Sequence, residues 1–408
     1  MEGNYPFMTH SIDQLLSLAL AGDQSNVNLH QLFEGKLEEY GVSKTKALGM
    51  LGIDKDVFED IISGTARQPN LVHILKLAQF LGIGIEAAVQ AVLKEQPAAN
   101  IASLERSYKA TFLLKHFDTR RLTAAGVMEK TEDPGKAVGR LMRFFGYDSM
   151  MAFEERLETP LFSRTKRLFS DKMMKFWIDA AYRMFELIAN PNPYDREAVK
   201  DIVAKAKPYC KDVNDGLYKV CRALYAQGVT VITQELLAGT QVRGGTFYVH
   251  NKPCIVLTDF RKSYPTVWTT LLHELHHVLF DLEVIKDWKF HLSEDGQNDL
   301  FLIEEKANAF AMDYFCTLEE FEFIRRHIHS KYHVERFAVQ RNVHPAMIYN
   351  AYQFYEQRLT GKNFWGAFKS EIPKSDTSLK RLQPVTWKEE SIEAIAKKFQ
   401  SIFLITNE

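Results

Sequence analysis

Only one stretch of this sequence departs from helical periodicity. Gly228–Thr233, Thr246–His250 and Cys254–Thr258 are β-branched and aromatic runs, a composition that suits a pleated, buried surface. Asn251-Lys252-Pro253 separates the last two as in a hairpin. On either side, apolar residues recur at three- and four-residue steps, the mark of amphipathic helices. The chain must therefore draw its sheet from this one stretch and pack helices around it, which predicts a mainly α fold with a small β-sheet, an α+β architecture.

A length of 408 residues leaves room for two or three domains at roughly 150 residues each. Hydrophobic residues at 46% and charged residues at 25% supply enough apolar surface for real cores and exclude wholesale disorder. Lys and Arg total 51 against 52 for Asp and Glu, so the chain lacks the global positive excess of a non-specific polyanion binder, and any nucleic-acid contact must be local. The first residues carry no basic n-region, and the apolar Leu15–Ala21 stretch is too short and interrupted for a signal or anchor. These features predict a cytoplasmic protein with no membrane association. Cys210, Cys221, Cys254 and Cys316 lie far apart without a C-x-x-C unit, so they are read as reduced packing residues.

Directly after the β-rich stretch, Trp268–Phe280 contains His273, Glu274 and His277 in the pattern H-E-x-x-H. Residues four apart on a helix are separated by only about 40° around its axis, so both imidazoles can reach one metal ion. Glu274, about 100° from His273, cannot be an equivalent ligand but can take a proton from a water. Trp268, Leu271, Leu272, Leu275, Val278, Leu279 and Leu282 cluster roughly opposite the histidines, so packing alone does not explain the pair. His276 points away from it. A hydrolytic zinc site needs three protein ligands and an open position. The third has a source in the helical segment Phe301–Ala311, where Glu304, Ala307, Asn308 and Ala311 share one face. Its small residues would let that helix come close; Glu305, one position on, is the runner-up ligand.

Residues 29–95 read as a run of short helices broken at glycines. Ser43–Ile53, followed by Val57, Ile61, Gly64 and Leu71–Gly82, resembles the Cro-like (XRE-type) helix-turn-helix family. In such a domain the segment of about Asp54–Ser63 would read DNA. Its start holds Asp54, Asp56, Glu59 and Asp60 against Lys55, and residues 1–100 hold seven basic and twelve acidic side chains, a net of −5. Carboxylates repel the phosphates that supply most of the affinity, so direct DNA reading by this helix is unfavourable; DNA stays open as a partner of the domain, and a retained fold that binds protein is the alternative. Gln96–Asn100 reads as a linker. The nine basic and six acidic residues of 101–150 are read as a solvated helix face.

Around the H-E-x-x-H pattern the sequence resembles the ImmA/IrrE family of zinc metallopeptidases, whose later Glu, Ala-Asn and Phe-Ala are matched by Glu304, Ala307, Asn308, Phe310 and Ala311. The likeness extends through Gly228–Thr258 and more weakly through Arg140–Gly146; Cys316-Thr317 departs from the Met-Pro step common in the family. The resemblance implies a zincin-like domain with a Zn2+ cofactor, ligands His273, His277 and Glu304, and Glu274 as general base. It also implies an intracellular endopeptidase that cleaves a repressor or antitoxin in stress, toxin-antitoxin or phage-related regulation. The alternative is a DNA-binding regulator or antitoxin whose peptidase-like domain binds zinc or a signal without proteolysis.

The expected organisation is a helix-turn-helix-like domain at 1–96, a helical connecting region at 97–160, the metallopeptidase domain at 161–320, and a helical appendage and tail at 321–408. An edge of the sheet could take an extended substrate by strand addition, with Gly244 and Gly245 allowing close approach. His291, His327, Tyr264 and Tyr332 have the chemistry to stabilise an oxyanion. His327, His329 and His333 have no carboxylate or cysteine at a standard spacing and are not expected to form a second metal site.

Overall fold

The computed structural model describes residues 28–66, 68–157, 171–237, 240–294, 304–382, 384–388 and 391–403. The Leu15–Ala21 stretch and the Phe301–Ile303 lead-in to Glu304 lie outside them. The described chain divides into two compact units: one runs to Lys115 and takes in Asp133–Gly135, and the other holds His116–Glu132 and the residues from Lys136 onward. The expected connecting region is thus shared between the units. The segments 161–320 and 321–408 fold together in the second unit, because the helix Pro345–Thr360 packs on the helices Tyr264–His276 and Glu304–Phe315.

In the first unit, Leu29–Tyr40, Lys44–Leu51, Lys55–Ile62, Leu71–Leu81 and Ile85–Glu95 are helical. Three of them end at Gly41, Gly52 and Gly82, each left-handed, the backbone state glycine adopts without a Cβ penalty. Asn28, Ser43 and Asn70 cap the starts by accepting backbone N–H groups. Phe33, Phe58 and Ile61 anchor the core, with the Phe33 and Phe58 rings 4.4 Å apart. On Lys55–Ile62, Asp56 and Asp60 are exposed and Glu59 pairs with Lys44 at 2.5 Å.

The second unit holds a four-stranded mixed sheet of β1 (Thr230–Gln234), β2 (Val242–Val249), β3 (Lys252–Thr258) and β4 (Phe290–Glu294), in the order β1-β3-β2-β4. β1 runs parallel to β3, and the other pairs are antiparallel. The β2–β3 hairpin turns at His250 and Asn251, both at positive φ, as a two-residue primed turn demands. Pro253 is tolerated in β3 because the ladder to β1 begins only at Cys254.

β4 adds a strand to the three that the sequence patterning suggested. Its inward residues, His291 and Ser293, are polar and buried, which inverts the usual apolar-in alternation and hides the strand. The final helix, Ile392–Phe403, buries Ile392, Ile395, Ala396, Phe399 and Phe403 and packs on Lys172–Ile188. All four cysteines are free and buried, and burial pushes their thiols up, Cys210 to about 11. Among the described residues no single helix is long and apolar enough to cross a membrane.

Candidate metal centre

The helix Tyr264–His276 is buried on both sides. Its apolar face meets the core, where Trp268 lies edge-on to Phe315. The histidine face turns to a second buried surface, formed by the sheet and the helix Glu304–Phe315. Gly244 of β2 is what lets the sheet approach: a Cβ there would stand 2.8 Å from Thr270 Cγ2 and 2.9 Å from Glu274 Oε1. This corrects the expectation that Gly244 and Gly245 admit a substrate backbone. Both lie on an interior strand, and a Cβ at Gly245 would meet Leu292 at 2.8 Å and His291 O at 3.0 Å.

After His276 the helix widens into a π-turn over His277–Asp281 before resuming as Leu282–Trp288. Such turns are frequent at functional sites. Two carbonyls of the turn find donors on another segment: Tyr194 Oη donates to Val278 O at 3.4 Å, and Arg196 donates to Leu279 O through Nε at 2.9 Å and Nη2 at 2.6 Å. The turn sets Asp281 Oδ2 2.8 Å from His277 Nδ1. With a carboxylate on Nδ1, that nitrogen carries the proton and Nε2 presents a lone pair.

His273 Nε2 and His277 Nε2 lie 3.2 Å apart, and Glu304 meets them through Oε2 at 3.1 Å and Oε1 at 3.2 Å. Zinc bonds of roughly 2.0–2.1 Å in a tetrahedron require ligand atoms about 3.3 Å apart. Spacing and donor set therefore suit one metal ion. His277 and Glu274 are fully buried, and His273 and Glu304 are nearly so, while Ala307 and Ala311 bring the Glu304 helix in close.

Glu305 points elsewhere and pairs with Arg358 at 2.6 Å. Burial would push the Glu304 carboxyl up, but the imidazoles of His273, His277 and His291 set against it more than reverse this and hold it well below the usual carboxylate range. Burial pushes His277 down, yet Asp281 and Glu304 outweigh it and the imidazole sits above its ordinary value.

Glu274 stands beside this cluster. Thr246 Oγ1 donates to its Oε2 at 2.8 Å, and its Oε1 is buried without a partner. An orphaned carboxylate oxygen in a dry site is costly unless something absent from the protein chain satisfies it.

His276 is buried, 3.5 Å from Asp281 and packed on the rings of Phe280 and Phe310. Of the residues considered for an oxyanion, only His291 joins the cluster, with Nε2 2.7 Å from Glu304 Oε1. Tyr264 instead gives its hydroxyl to Cys210 O at 2.8 Å, and His327 stacks on His333. Tyr332 is exposed. Among the described residues, the metal-type groupings are His273–His277–Glu304 and His276–His277–Asp281, which does not extend to the histidines at 327, 329 and 333. The second grouping shares His277 and serves to orient it.

Sequence reasoning missed Asp281 and Thr246. The spacing of Asp281 four residues after His277 was a signal for the first; nothing local marked the second. Comparison with protein-family models, curated proteins and solved structures finds no match to the chain.

Proposed function

We propose that this chain is an intracellular zinc-dependent endopeptidase of regulatory type that cleaves a protein partner, of which a repressor or antitoxin is the expected class. The observation that carries this reading is the pairing of a buried His273–His277–Glu304 grouping with a partnerless Glu274 oxygen beside it. His273 Nε2, His277 Nε2 and Glu304 would hold the ion, and Asp281 keeps His277 in the ligating tautomer. When bound, zinc supplies a Lewis acid that polarises a peptide carbonyl and lowers the pKa of a water.

Glu274 Oε1 takes the proton of the attacking water and returns it to the leaving amine. Thr246 occupies Oε2 and so leaves Oε1 as the proton acceptor. For an extended substrate, β1 is already engaged on its outer edge: Val385 N donates to Thr233 O at 2.9 Å and Glu235 N to Val385 O at 2.8 Å. The outer edge of β4, beside His291, is the sheet edge proposed for strand addition. The N-terminal unit, with its acidic Lys55–Ile62 helix, is proposed to bind the protein partner rather than DNA.

The test is Glu274→Gln. Purified wild type should carry about one zinc per chain and cleave a fluorogenic peptide library. The variant should keep its zinc and lose about 10²–10⁴-fold in turnover. A variant that retains full biological activity would transfer the assignment to the regulator or antitoxin that binds metal without proteolysis. A salt-dependent mobility shift on the chain's own promoter would then identify DNA as its partner.

A further inference from the structure

We infer that His291 is a positioning residue that restricts Glu304 to a single ligating oxygen and so keeps one coordination position open. The inference rests on reading the His273–His277–Glu304 grouping as a zinc site. His291 sits on β4 directly opposite Thr246 of β2, and residues paired in this way point to the same face of the sheet. One rung of the sheet therefore touches both acids of the site: Thr246 reaches Glu274 and His291 reaches Glu304.

A carboxylate that ligates a cation is ionised and has no proton to give, so His291 Nε2 is the donor in the 2.7 Å contact with Oε1. A ring nitrogen that carries a proton has no lone pair for a metal. His291 in this tautomer is therefore not a fourth ligand through Nε2. The two oxygens of Glu304 become unequal: Oε1, 3.2 Å from His277 Nε2, gives one lone pair to a charge-assisted hydrogen bond, and Oε2, 3.1 Å from His273 Nε2, keeps both for the ion. This distinction has a functional consequence. Four protein ligands close a zinc site and make it structural, whereas three leave the position that hydrolysis needs.

Cobalt(II) is the probe, because its visible absorption reports both ligand number and ligand type. The full-length wild type, His291→Gln, His291→Ala and Glu304→Gln are loaded with cobalt and titrated against a competing chelator, with circular dichroism of each apoprotein as the folding control. His291→Gln places an amide N–H where Nε2 stood, so it should keep the wild-type spectrum and bind close to wild-type affinity. His291→Ala should keep the same band shape while losing about 10–100-fold in affinity. Glu304→Gln should lose the band.

Either His291 variant showing the spectrum of a site short of one nitrogen would make His291 a ligand and overturn the inference. So would His291→Ala binding as tightly as wild type. Wild type that takes up no cobalt removes the metal reading itself, an outcome that needs no variant and so is distinct from the failure of His291's role.

Discussion

Asp179 and Glu304 are both buried acids of the same unit, and the chain treats them in opposite ways. Tyr147 Oη lies 3.0 Å from each oxygen of Asp179, and Arg156 Nε is 3.8 Å from Oδ1. Arg156 and Arg183 are in turn tied to Glu186 at 3.2 and 3.1 Å. That network supplies its own countercharge, and burial still pushes the Asp179 carboxyl up to about 6. Around Glu304 and Glu274, no Arg or Lys pairs with either acid among the described residues, and the contacts are imidazoles and a hydroxyl. The lesson concerns what completes a buried charge. One cluster is closed by guanidinium groups from the protein, and the other gathers lone pairs around a place where a cation would complete it.

The strongest way to break this contrast is to remove the carboxylate that the metal reading requires. Glu304→Gln should cost at least about 100-fold in zinc affinity, measured by chelator competition. Glu305→Gln, which only releases Arg358 on the surface, should leave zinc content at the wild-type level; equal losses from both would sink the assignment. A smaller effect is expected from Asp281→Asn. It keeps the side-chain shape but weakens the hold on His277 Nδ1, and affinity should fall about 10–100-fold.

Gly244→Ala tests the approach of sheet to helix. The added Cβ clashes with Thr270 and Glu274, and chemical denaturation should register a loss of about 1–3 kcal/mol.

The smallest effect belongs to the self-satisfied cluster. The folded pKa of Asp179, about 6, lies above the roughly 3.9 of an unfolded aspartate. The stability it contributes is therefore fully present below about pH 4 and is lost as pH rises through about 6. Asp179→Asn should flatten that part of the profile, so that Tm changes less between pH 4 and 7 than in wild type. An unchanged profile would show that Asp179 does not titrate there.

Much of this was legible in the sequence. The helices of residues 29–95, the β2–β3 hairpin and the His273–His277 face follow from periodicity, glycine placement and turn chemistry, because each depends on neighbours within a few residues. Glu304 was readable because its helix carries Ala307 and Ala311 on the same face. β4 and the roles of Thr246 and His291 were not, since polar inward residues carry no hydrophobic signature and their meaning arises only from cross-strand pairing. The joining of 161–320 and 321–408 in one unit was equally hidden, because the contact of Pro345–Thr360 with the histidine helix spans many residues of chain.

The Thr246–His291 rung makes this site an all-or-none construction. Side chains alternate across a sheet with a period of two, so a one-residue slip of β4 against β2 would carry His291 to the opposite face. Its neighbours Phe290 and Leu292 would then face the acids. Such a slip would exchange a hydrogen-bond donor for hydrocarbon in a single step, with no intermediate register that half-serves Glu304. Strand pairing thus acts as a lock on the donor set, and a chain with misregistered strands would lose the His291 contact to Glu304 outright rather than keep it weakened.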